Sequence, residues 1–188
     1  MINNLLPRSF VIMGATDVTK ISRFTKIKDY EKWINELVEE CVEKFDELFF
    51  IPDHGVYVDF ALAFLKAKGP GSVIAVIPHG EQWLEERAGK MNVTRIHKMQ
   101  IGVGWNYLNT HFVGLAPYAV YLGYSSGSIL ELVSSKYLRV YEDHPTRFFI
   151  DRRSISIPLP EELIEDIITI SYFNSKTGFK SLLEQYVK

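Results

Sequence analysis

The chain alternates between short apolar stretches and amphipathic stretches, and this alternation restricts its fold more than any other feature. The apolar residues 9–14, 48–51 and 72–77 are each followed or closed by glycine or proline, which is typical of buried strands. Residues 30–45 and 56–68 carry apolar side chains three and four positions apart, which predicts helices. Strands alternating with helices at this spacing predict an α/β fold, a doubly wound, mostly parallel sheet with helices on both faces.

The rest of the chain follows the same alternation with a weaker period. Extended stretches are predicted at residues 95–101, 118–122, 146–150, 154–157 and 167–173. Helical stretches are predicted around residues 83–87 and at 105–116, 127–137, 160–165 and 177–187. Residues 15–28 are predicted to form a polar connection without regular structure.

Composition limits the domain count and the expected partners. A chain of 188 residues that is 47% hydrophobic can bury one core, so a single domain over residues 1–188 is expected. The formal net charge of −2 predicts neither a nucleic-acid partner nor a membrane partner. Cys41 is the only cysteine and no apolar run is long enough to span a bilayer, so a cytoplasmic location is expected. The histidines lack the paired spacing of metal ligands, and no metal or cofactor is expected.

The segment Y-A-V-Y-L-G-Y-S-S-G-S-I-L-E-L-V, residues 118–133, combines a buried strand, a turn of small residues and a helix. A helix that begins at such a turn presents unpaired N–H groups, where a phosphate or carboxylate can bind. The candidate ligand contacts in this turn are Gly123, Ser125, Ser126, Gly127 and Ser128. The alternative is an ordinary turn in which a serine caps the helix.

Two other strand ends supply further candidates, because the carboxyl ends of parallel strands share one edge of the sheet. Gly14 and Ala15 follow the first strand, and Asp53, His54 and Gly55 follow the second. Asp and His side chains can bind sugar or phosphate oxygens, and glycine permits a positive φ. The alternative for Asp53 is a helix N-cap.

Four short sequences along residues 9–131 resemble the LOG or lysine-decarboxylase-like nucleotide-binding family of the SLOG superfamily, which has a Rossmann-like fold. They are M-G-A-T, I-P-D-H-G, G-P-G before V-I-A-V-I-P, and L-G-Y-S-S-G-S-I-L-E. Gly127, Ser128 and Glu131 match the G-T-x-x-E part of the family signature, while Gly123, Tyr124 and Ser125 stand where the family has P-G-G. The resemblance implies hydrolysis of the N-glycosidic bond of nucleoside 5′-monophosphates. It also implies a homodimer formed through helices such as residues 105–116.

The position of the family's catalytic arginine falls on Leu108, and the Asn or Lys that commonly follows it in the family is matched by Asn109. Leucine cannot supply the planar fork of donors that fixes phosphate or stabilises charge. The sequence therefore predicts a protein that binds a nucleotide or phosphorylated sugar, with Asn109 among its contacts, but does not hydrolyse it efficiently.

Glu131 is the candidate catalytic residue, because its carboxylate could hold a sugar hydroxyl or assist departure of a base. The alternative is an exposed glutamate that the helix dipole favours in the first turn. Two other functions remain open. One is a nucleoside 5′-monophosphate phosphoribohydrolase that uses Glu131 and another cation, and the other is a structural or interaction protein with a decayed site.

Overall fold

The computed structural model describes residues 7–99, 104–137, 146–162 and 169–188, which form one parallel sheet with helices packed on both faces. The strands are β1 (Ser9–Gly14), β2 (Glu47–Phe50), β3 (Val73–Ile77), β4 (Arg95–Lys98), β5 (Tyr118–Leu122), β6 (Arg147–Asp151) and β7 (Ile170–Phe173). The helices are α1 (Val18–Phe24), α2 (Tyr30–Lys44), α3 (Val56–Lys68), α4 (Gln82–Lys90), α5 (Trp105–His111), α6 (Ser126–Ser134) and α7 (Lys176–Tyr186). The predicted fold class, a doubly wound α/β sheet, is confirmed.

The central strands are covered on both faces, which explains their continuous apolar sequences. Every residue of β1, β3 and β5 is buried. Alternate side chains of a strand point to opposite faces, so Phe10 and Ile12 enter one core while Val11 and Met13 enter the other. Helices α2, α3, α4 and α7 cover the first core, and α5 and α6 cover the second.

The strand order is β4-β3-β2-β1-β5-β6-β7, and all neighbouring strands are parallel. The chain moves outward from β1 to β4 and then returns to pair β5 with the other side of β1. The switch point of the sheet therefore lies between β1 and β5. In open α/β sheets, ligands bind at this point, beyond the carboxyl ends of the strands.

Two predicted elements differ from the structure. Helix α1 lies within residues 15–28, where an irregular connection is predicted, and it buries only Ile21, so it leaves almost no apolar period in the sequence. Residues 154–157 do not form an extended stretch, because the chain turns after β6 and Ser154 donates both its N–H and its hydroxyl to the carbonyl of Asp151. The predicted helix at residues 160–165 and the ends of the predicted stretches at 95–101 and 167–173 fall partly outside the described residues.

Within the described ranges, no helix combines the length and the apolar character needed to cross a membrane.

Candidate functional site at the switch point

A pocket of about 190 Å³ opens at the switch point, between the turns that follow β1, β2 and β5. It is lined by Thr16, Ile51, Asp53, Tyr57, Trp105, Asn109, Ser125, Ser126, Gly127 and Glu131. The structure thus brings together several predicted contacts that are far apart in sequence. They are Asp53, Asn109, Ser125, Ser126, Gly127 and Glu131.

Glu131 forms the buried wall of the pocket. Its side chain is only 1% exposed, so the alternative of an exposed glutamate in the first turn is wrong. The Tyr57 hydroxyl donates a hydrogen bond to its Oε2 at 3.1 Å. Burial raises the pKa of Glu131 to about 8, although the hydrogen bond from Tyr57 opposes this shift. The carboxyl group is therefore mainly neutral at pH 7 and can donate a proton to an oxygen ligand.

Tyr57 lies in α3 with its hydroxyl directed at this carboxyl group. Burial and the neighbouring Glu131 raise the pKa of Tyr57 well above its ordinary value, so the phenol remains a hydrogen-bond donor. The backbone of Gly14, at the end of β1, acts on the pKa of Tyr57 in the opposite direction. The two side chains and the end of β1 form one buried polar connection beneath the pocket.

The turn before α6 is closed by a reciprocal cap. Ser125 Oγ accepts a hydrogen bond from the Ser128 amide at 3.1 Å, and Ser128 Oγ accepts one from the Ser125 amide at 2.8 Å. The predicted alternative of a serine cap is therefore confirmed, and the amide of Ser128 is already occupied. Within the described part of the chain, the amides of Ser126 and Gly127 form no hydrogen bond, so both remain available to a ligand.

Gly14 and Gly55, two of the predicted ligand contacts, are required by the packing of the backbone. A Cβ atom on Gly55, whose φ is +68°, would lie 2.4 Å from the carbonyl oxygen of Ala15, and one on Gly14 would lie 2.4 Å from that of Leu122. These contacts accompany backbone hydrogen bonds from Val56 to Ala15 and from Ala15 to Leu122. Here glycine allows the three turns to pack tightly behind the pocket.

The turn after β2 places Asp53 in the pocket wall and His54 at its rim. The two side chains bond to each other, and the side chain of His54 is 59% exposed. Helix α3 has Gly55 as its N-cap, with no side-chain capping bond, so the predicted alternative of an Asp53 cap is wrong.

Sequence reasoning did not identify Tyr57 or Trp105 as residues of the site. Tyr57 lies in the first turn of α3, lines the pocket and packs with the second core, whereas Phe60 and Phe64 pack into the first core. A tyrosine two positions after the glycine turn that follows β2 is the feature that could have pointed to it. Leu108, at the position expected for a catalytic arginine, is fully buried in the core.

The turn after β6 carries an exposed cation, Arg152. The turn after β6 packs against the turn before α6, since the carbonyl oxygen of Ser154 lies 3.4 Å from the position of a Cβ on Gly123. Arg153 is held by the buried Asp151 at 2.7 Å. Arg152 is exposed, and its guanidinium carbon lies 4.4 Å from the centre of the Tyr172 ring.

Comparisons with known proteins find similarity in the fold. No protein family and no curated protein matches the sequence. The fold matches a solved structure of DNA processing protein A from Helicobacter pylori, with a TM-score of 0.61 and 10% identity. That structure describes the single-stranded DNA binding mode of the Helicobacter protein. That match covers 97% of this chain and 83% of the other. DNA processing protein A from Streptococcus pneumoniae matches with a TM-score of 0.55 and 12% identity, over 95% of this chain and 62% of that one.

These findings correct the identification with the LOG family. The matching structures are DNA processing protein A, and they contradict both the predicted nucleotide or phosphorylated-sugar binding and the predicted absence of a nucleic-acid partner. The resemblance was misleading because the residues that carry it have structural roles in this fold. Gly14 and Gly55 allow tight turns, and Ser125 and Ser128 cap a helix. Tight turns and capped helices are common where strands lead into helices in doubly wound sheets.

The expected homodimer came from the same resemblance and loses its basis. The apolar residues of 105–116 are largely used inside the molecule, where Leu108, Phe112 and Val113 are fully buried. Tyr107 is 44% exposed and stacks on His111.

Proposed function

We propose that this protein binds single-stranded DNA across the carboxyl edge of its sheet, with the switch-point pocket receiving part of one nucleotide's backbone. The observation that carries the proposal is the make-up of the pocket, which combines two free amides with a carboxyl group that is mainly neutral at pH 7. The shared fold with a protein that has a single-stranded DNA binding mode supports the same function.

The size of the pocket favours a polymer over a small molecule. Its volume of about 190 Å³ is below the roughly 300–1,000 Å³ of ordinary small-molecule sites. It can receive a phosphate or a sugar, while a complete nucleotide needs more room. A polymer obtains its remaining affinity from contacts along the edge on either side of the pocket.

The local electrostatics suit a phosphate group despite the small negative net charge. The amides of Ser126 and Gly127 begin α6, where the helix dipole is positive. Glu131 adds little negative charge at pH 7 because burial keeps it mainly protonated. Arg152 supplies a cation in the turn after β6, and this turn packs against the turn before α6 through Ser154. Proteins that bind single strands combine such phosphate contacts with aromatic side chains that stack on unpaired bases.

Binding of a labelled oligothymidylate, followed by fluorescence anisotropy at several salt concentrations, tests the proposal. Arg152→Ala should weaken binding and reduce the slope of log K against log salt by about 0.7, the value for one lost phosphate contact on a single strand. Gly127→Val should weaken binding at all salt concentrations, because the branched side chain would occupy space in the pocket. The side chain of Asn109, on the other side of this space, lies 3.7 Å from the Cβ position of residue 127.

Lys66→Ala is the matched control, since it removes one exposed positive charge from the last turn of α3, away from the pocket. A duplex of the same length should bind more weakly than the oligothymidylate. The proposal is wrong if the parent protein does not bind the single strand at low salt. It is also wrong if Arg152→Ala and Gly127→Val both bind like Lys66→Ala.

A further inference from the structure

One carboxylate in the turn after β3 fixes two tryptophan side chains. Glu81 Oε2 accepts a hydrogen bond from Trp83 Nε1 at 2.6 Å, and Oε1 accepts one from Trp105 Nε1 at 3.0 Å. The turn itself is closed by a bond from the Gln82 amide to the carbonyl of Gly80, whose φ is +89°. Both indoles are therefore held from a fixed point of the backbone.

Trp83 is 43% exposed, although tryptophan is usually highly buried. Its neighbour Leu84 is fully buried and anchors α4 in the core, so Trp83 is left on the outer side of the helix. The bond to Glu81 satisfies the indole N–H at the ring edge. An exposed ring whose only polar group is already paired is well prepared for stacking, because it loses little side-chain freedom on binding.

Two separate chains of contacts place Trp83 beside the switch-point pocket. The first runs through Glu81 to Trp105, which lines the pocket. The second runs through His54, whose ring centre is 6.4 Å from that of Trp83 and which bonds to Asp53 in the pocket wall. Trp83 and His54 thus form an aromatic pair at the rim, on the side of β2 and β3.

We propose that Trp83 stacks on an unpaired base of the bound strand, that His54 flanks this base, and that Glu81 acts as a positioning residue for Trp83. The inference rests on the proposed single-strand binding and adds the group that recognises the base. With the backbone of one nucleotide in the pocket, a neighbouring base can reach the rim and stack there. Stacking requires a base whose face is free, so Trp83 contributes to the preference for single strands over duplex. It is tolerant of sequence, since every base has an aromatic face.

The decisive variants are Trp83→Ala and Trp83→Phe, compared with the parent by anisotropy with oligothymidylate. Trp83→Ala should weaken binding roughly 5- to 100-fold, the range for loss of one base–aromatic stack. Trp83→Phe retains an aromatic face and should bind within a few-fold of the parent. Phe24→Ala removes another exposed aromatic ring, from α1, and should leave affinity unchanged.

An abasic oligomer with the same number of phosphates separates base stacking from phosphate binding. The parent should bind it more weakly than oligothymidylate, and Trp83→Ala should bind it as well as the parent does. Equal binding of oligothymidylate by Trp83→Ala and the parent, with Arg152→Ala still defective, would overturn the stacking inference alone. No binding by the parent would overturn the proposed function and this inference together.

Tryptophan fluorescence tests the role of Glu81. Oligothymidylate should quench the parent's emission through Trp83 and through Trp105, which lines the pocket, and Trp83→Phe should lose the part of the quenching that Trp83 contributes. Trp33 contributes little to the change, because it is buried and bonded to Asp151. Glu81→Ala should reduce quenching, and it should reduce affinity more for oligothymidylate than for the abasic oligomer, whose binding depends only on the pocket that Trp105 lines. Parental quenching and affinity in Glu81→Ala would show that it does not position Trp83.

Discussion

The substitution Glu131→Gln should change how the stability of the fold depends on pH. Burial raises the pKa of Glu131 to about 8 from an ordinary value of 4.5. A carboxyl group with a raised pKa contributes stability that is fully present below pH 4.5 and is lost as pH rises through 8. The complete loss corresponds to about 5 kcal/mol, and about 2 kcal/mol of it falls between pH 6 and 8. Since a domain's free energy of unfolding is about 5–15 kcal/mol, this loss is large enough to measure.

Glutamine imitates the protonated acid, because it is neutral and can still accept the hydrogen bond from Tyr57. The free energy of unfolding, measured by urea denaturation at pH 6 and pH 8, should fall by about 2 kcal/mol less in Glu131→Gln than in the parent. Glu86→Gln, at an exposed position of α4, is the control and should follow the parent's profile. Parallel pH profiles for Glu131→Gln and the parent would refute the reasoning, because they would mean that Glu131 is already ionised in the fold at pH 6.

Three other outcomes follow from the same structure. Gly55→Ala should lower the free energy of unfolding by about 1–3 kcal/mol, because its Cβ would lie 2.4 Å from the carbonyl oxygen of Ala15 at a φ of +68°. Gly89→Ala, which has open space around its Cβ, should raise the free energy of unfolding by up to about 1 kcal/mol. Equal effects of the two substitutions in urea denaturation would disprove the tight packing at Gly55. Ser125→Ala removes the cap of α6 and should lower stability by about 1 kcal/mol in the same assay. Affinity for oligothymidylate should fall in the parent as pH rises above 8, because Glu131 then adds a negative charge to the pocket, and Glu131→Gln should keep its affinity; identical pH dependence in both would contradict this.

The sequence predicted those elements whose ends are set by backbone constraints. Strand β5 has the predicted bounds, because a continuous apolar run ends at Gly123, whose φ of +88° terminates it. Helix α3 also has its predicted bounds, between Gly55 and Gly69, both with positive φ. Helix α1 was missed because its one buried side chain gives no periodic pattern, so only the cap by Asp17 marks its start.

The place of the candidate site was also predictable, but its ligand was not. Topology alone directs attention to the carboxyl ends of β1 and β5, whichever residues occupy them. The identity of a ligand depends on side chains that meet only in the folded chain, such as Tyr57 with Glu131 and Trp83 with Trp105 through Glu81. These contacts join residues that have no fixed spacing in sequence, so no sequence pattern predicts them.

The net charge illustrates why a sum over the sequence does not exclude the proposed nucleic-acid partner. The formal value of −2 counts every glutamate as ionised, including Glu131, which burial keeps mainly protonated at pH 7. It also gives the exposed acids of α2, on another face of the sheet, the same weight as groups at the pocket. A phosphate at the switch point interacts most strongly with charges within about 10 Å, because salt screens the others. At that range, the unpaired amides that begin α6 act together with two carboxyl groups, of which Glu131 carries little charge and Asp53 is bonded to His54.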